Sequence, residues 1–74
     1  MNKITAAITS AMAGEIALRL LGITMSDLTE LTVTRQKKQG RLEYEVQFNV
    51  GSFVYDYDID IATGNVRAFE CVCM

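Results

Sequence analysis

The sequence predicts an α+β fold: one N-terminal helix packed on a three- to four-stranded antiparallel meander sheet. Three observations carry this. A helical period is confined to residues 8–21, a strict two-residue alternation fills residues 42–50 and returns over 53–61, and the links between the extended segments are short and contain glycine. With 74 residues, half of them hydrophobic, the chain has room for a single small domain, 1–74. A domain of this size buries only about 60% of its unfolded surface and gains stability readily from a partner or a second copy.

The helix is read in "ITSAMAGEIALRLL", where Ile8, Met12, Ile16 and Leu20 recur at every fourth position beside Ala13, Ala17 and Leu21. Thr9 or Ser10 supplies the N-cap oxygen, and Gly22 supplies the left-handed stop. Gly14, inside the helix, marks either a close approach to the sheet or a tolerated cost of about 1 kcal/mol. Residues 23–30 form a connector with a short turn at Ser26 or Asp27. A first strand follows at about 30–36, where threonines and Val33 favour the extended chain, and "KKQG" makes a hairpin turn on Gly40.

In the second strand Leu42, Tyr44, Val46, Phe48 and Val50 alternate with Glu43, Glu45, Gln47 and Asn49, giving one apolar and one wet face. After a turn at Gly51-Ser52, the third strand sends Phe53, Tyr55, Tyr57, Ile59 and Ile61 inward and Val54, Asp56, Asp58 and Asp60 outward. "ATGN" turns the chain into a fourth strand at 66–72, the least distinct, followed by a tail at 71–74. Links this short make neighbouring strands antiparallel, and one striped helix and one two-faced sheet pack as two layers.

The net charge of −2 and the want of a basic stripe argue against nucleic acid as a partner. Arg35, Lys37, Lys38 and Arg41 read as a solvated hairpin tip. No stretch approaches the roughly 18–20 apolar residues of a membrane span. "MNKITAAITSAMAG", with Lys3 ahead of a short apolar run, is better used by the helix than by a signal peptide. Cys71 and Cys73 point to the same side of an extended chain at roughly 6.5–7 Å, poor geometry for an intramolecular disulfide. They are too few for a zinc site and read as tail thiols, with an intermolecular disulfide as the sharper alternative.

The aspartates at 56, 58 and 60 begin like a calcium loop, but the sixth position is Ile61 in place of glycine and the twelfth is Arg67 in place of glutamate. The expectation is therefore a strand showing Glu43, Glu45, Asp56, Asp58 and Asp60 on one exposed face, with Arg35, Lys37 and Arg67 beside them. That face is either solvated and laced by weak ion pairs or a docking surface for a basic peptide or protein. Without histidine no spacing supports a base and nucleophile, so no catalytic residue, metal ligand or cofactor site is assigned, and the chain reads as a non-enzyme. The tyrosines, Tyr44, Tyr55 and Tyr57, read as core residues with hydroxyls at the rim.

Three stretches in order, "ITSAMAGEIALRLLG", "YEVQF" at 44–48 and "YDYDIDIATGNV" at 55–66, make residues 8–70 resemble a PepSY domain. The resemblance implies a helix on an antiparallel sheet of cystatin-like type, no enzymatic activity, and regulation or inhibition of a peptidase or another protein, as in bacterial propeptides of thermolysin-type metalloproteases. It also implies an exported or cell-envelope setting. A structural self-association unit, a homo-oligomer with no peptidase role, is the alternative, since the edge strands carry no proline.

Overall fold

The computed structural model describes residues 7–74; Lys3, the basic flank of the signal-peptide alternative, lies outside them. The order is helix α1 (Ser10–Leu21), a 3₁₀ turn (Met25–Asp27), and strands β1 (Thr29–Lys38), β2 (Arg41–Val50), β3 (Phe53–Asp60) and β4 (Val66–Cys73). The strands form one antiparallel meander in spatial order β1-β2-β3-β4, and α1 packs on one face of it. The predicted α+β arrangement is the observed one. What was read as a tail at 71–74 is strand as far as Cys73.

Each boundary has a local cause. Thr9 Oγ1 accepts the Met12 amide at 3.2 Å, and Gly22 closes the helix at φ 78° while donating to the Leu18 and Arg19 carbonyls. The β1–β2 hairpin turns on Gln39 and Gly40, both at positive φ as a two-residue primed turn requires, which lengthens β1 beyond its predicted end to Lys38. At the β3–β4 corner Asp60 Oδ1 accepts the amides of Ala62 and Thr63 at 2.8 and 3.1 Å. The Ile8 amide ties the approach to α1 to the Ile61 carbonyl at 2.9 Å.

The core is built from Ala13, Ala17 and Leu18 of α1 against Val46, Phe48, Tyr57 and Ile59. Here the structure departs from the predicted helix stripe. Met12 and Leu20 are exposed, and the helix turns Ala13, Gly14 and Ala17 to the sheet. Small side chains let the helix axis approach the strands closely, which sets the rotation more firmly than the hydropathy of the larger residues. Gly14 is buried, but a Cβ there would meet only Leu31 Cδ2 at 3.9 Å, an ordinary contact, so it is tolerated rather than required. Aromatic contacts continue the core across the sheet, Phe48 stacked with Tyr57 at 6.3 Å and Tyr57 tilted against Phe69 at 4.8 Å between ring centroids.

Candidate functional site

The face of the sheet away from α1 is set by strand parity. Register partners Glu43–Asp60 and Glu45–Asp58 bring the carboxylates of β2 and β3 together, and Asp56–Glu70 adds one from β4. All five predicted acidic residues therefore share one face, and Asp56, Asp58 and Asp60 lie along a strand, not in a loop. The face is not uniformly wet, however. Glu43, Asp58 and Asp60 are buried, at 3%, 7% and 7% exposure, and only Glu45 and Asp56 are half-exposed.

The burial is accounted for by long side chains laid across these carboxylates. Arg67 Nε lies 3.1 Å from Glu43 Oε2, and Gln36 Nε2 donates to Glu43 Oε1 and to Asp58 Oδ1, each at 3.4 Å. Lys38 Nζ donates to Asp58 Oδ2 at 2.8 Å, which raises the pKa of Lys38 through that hydrogen bond and the carboxylate charge. Asp60 has the two turn amides, with Arg41 and Arg67 each at 4.0 Å. A buried charge is tolerable only when paired and hydrogen-bonded, and these are.

The partners differ from the predicted set. Arg35 and Lys37 pair in register with Tyr44 and Leu42, so they stand on the helix side, and Gln36, Lys38 and Arg41 take their place. Arg67 does join the acidic face, by way of a β-bulge. Asp58 pairs with Ala68 and Ile59 with Val66, so Arg67 is the extra residue. Regular alternation would have set it beside Ile59; the bulge re-aims it onto Glu43.

Glu45, Asp56 and Glu70 make up the other half of the face, where cations are scarce. The pKa of Asp56 is pushed up to about 7, first by desolvation, then by a hydrogen bond shared with Glu45 and by the charges of Glu45, Asp58 and Glu70. A groove of about 380 Å³ runs here, lined by Lys38, Glu45, Asp56, Asp58, Ala68 and Glu70 among others. Carboxylate oxygens of Glu45, Asp56 and Asp58 come within 4.8 Å of one another, close enough to share a cation. Asp58 is already held by Lys38 and Gln36, so Glu45 and Asp56 are the donors with capacity left.

The sequence predicts β4 as a strand but gives it no part in the site. Its eight residues are all exposed, and among the described residues it pairs on one side only. The Met74 amide donates to the Ser52 carbonyl at 2.7 Å. By antiparallel alternation the backbone groups of Val72, Glu70 and Ala68 then face β3, and those of Phe69, Cys71 and Cys73 face the open edge. On the helix side Phe69 and Phe53 are 53% and 44% exposed, because α1 lies over β1 and β2. Cys71 and Cys73, both free, stand in this row opposite Tyr55 and Phe53. The alternation of Phe69, Cys71 and Cys73 with Ala68, Glu70 and Val72 was the available signal. It is faint because Ala68 and Val72 are themselves apolar.

No protein-family model matches the chain, nor does any curated protein or solved structure.

Proposed function

We propose that the chain is a non-catalytic, PepSY-like protein-binding module that regulates or inhibits a peptidase or another partner protein. The observation that carries this is the uncovered β3–β4 half of the sheet, with exposed aromatics on one face and, on the other, Asp56 and Glu70, which have no ion-pair partner among the described residues. A 74-residue domain leaving Phe53 and Phe69 in water has surface to gain by covering them. The helix-on-meander arrangement agrees with what the resemblance implies. Of the acidic residues, the binding role falls to Glu45 and Asp56, joined by Glu70, while Glu43, Asp58 and Asp60 hold the fold.

The test is a titration of the purified chain into thermolysin-type metallopeptidases, read by progress curves and by complex formation, beside affinity capture from the source cell. A saturable complex weakened about tenfold by Asp56→Lys or Phe69→Lys supports the module. Failure of the chain to hold any peptidase or other protein in a manner sensitive to these substitutions contradicts it. The alternative reading, self-association, would use the edge of β4 that is left unpaired among the described residues. Sedimentation at micromolar concentration decides it, since a strict monomer removes it.

A further inference from the structure

The two edges of the sheet differ. β1 carries Arg35, Lys37 and Lys38 and is interrupted near its start by a bulge at Glu30, which sits at φ 56°; charges and bulges are devices that keep other strands away. From Ala68 to Cys73, β4 pairs regularly with β3, has no proline and bears a single charge, Glu70. Its free N–H and C=O groups, at Phe69, Cys71 and Cys73, form a template for one more strand.

From these features we infer that β4 takes an extended segment of a partner protein by strand addition, and that the segment alternates apolar and basic side chains. This rests on the binding-module reading and names the part of the partner it would seize. An added strand sends alternate side chains to opposite faces. One set falls beside Phe69 and Cys71, where apolar residues extend the aromatic row. The other falls beside Glu70, with Asp56 next to it in register and the groove behind, where Lys or Arg meets carboxylates that have no ion-pair partner among the described residues.

A second copy fits this edge poorly. Pairing β4 with β4 joins acidic face to acidic face and draws both Glu70 residues and their Asp56 neighbours toward one seam, where like charges repel. Pairing β4 with β1 of another copy sets Arg35 and Lys37, which stand on the helix side, against Phe69 and Cys71.

The experiment uses the whole chain and synthetic peptides of the length of β4, 8 residues: one alternating Lys and Val, one with the same residues in two blocks, and one alternating Glu and Val. Binding is read by fluorescence anisotropy and by amide protection. The alternating Lys peptide is expected to bind, to protect the amides of Phe69, Cys71 and Cys73, and to outbind both others by about tenfold or more. Cys71→Pro removes an outward-facing N–H without breaking a bond to β3, so it is expected to fold and to lose the peptide. Glu70→Lys is expected to reverse the preference toward the Glu peptide. Equal binding of the alternating and block peptides, retention by Cys71→Pro, or protection outside β4 overturns the inference, as does a dimer that blocks the peptide and dissociates on Cys71→Pro. The peptide assay contains no peptidase. Loss of peptide binding with a protein partner still held therefore overturns the strand-addition inference alone, and peptide binding with no protein partner overturns the regulatory reading alone.

Discussion

Arg67 connects two carboxylate-bearing positions to one cation. Its guanidinium touches Glu43 and lies 4.0 Å from Asp60, and it reaches them only because a bulge turned it over. Arg67→Met leaves Glu43, 3% exposed, with Gln36 as its one remaining side-chain partner among the described residues. The expected loss is about 2–3 kcal/mol, somewhat below that of a fully buried pair because Arg67 keeps solvent contact. Denaturant titration measures it, and adding Glu43→Gln is expected to return part of the loss. Asp56 acts in the opposite sense. Its folded pKa of about 7 lies above the ordinary 3.8, so the folded state holds a proton that the unfolded chain gives up. Stability from this group is full below the unfolded value and declines as pH rises through the interval between the two. Asp56→Asn is therefore expected to leave the melting temperature nearly unchanged at pH 4 and to raise it at pH 8. A gain that is larger at pH 4 would contradict the assignment.

The elements were more legible than their faces. Leu42 through Val50 declares its strand and its buried side unaided, and Gly22, Gly40 and Gly51 mark turns that occur where glycine is needed, at φ 78°, 80° and 60°. The rotation of α1 was not legible, because hydropathy weights Met12 and Leu20 while close approach to the sheet selects Ala13 and Ala17. Nor was the burial of Glu43, Asp58 and Asp60. Alternation tells which face a residue takes, but not which long side chains from neighbouring strands lie over it, and the bulge at Arg67 leaves no mark in composition. Gly14 supplies the test at this scale. Its backbone is helical and a Cβ has room beside Leu31, so Gly14→Ala is expected to stabilise the chain by about 0.5–1 kcal/mol. A loss would mean that helix and sheet stand closer than described.

The molecule as a whole is a sheet half covered. α1 shields β1, β2 and the near part of β3, and leaves Met12 and Leu20 exposed. The other face of the sheet is divided too, with carboxylates ion-paired at Glu43, Asp58 and Asp60 and without an ion-pair partner among the described residues at Glu45, Asp56 and Glu70. The helix side puts its unfinished part toward β4, and Asp56 and Glu70 of the other face reach the same side of the sheet, so the proposed binding surface and the open edge lie together.

Amide hydrogen exchange on the free chain at low micromolar concentration tests that edge most directly. The amides of Ala68, Glu70 and Val72, bonded to β3, are predicted to be protected, and those of Phe69, Cys71 and Cys73 to exchange at nearly the rate of unstructured peptide. Protection at all six positions would show the edge already occupied and would contradict the account.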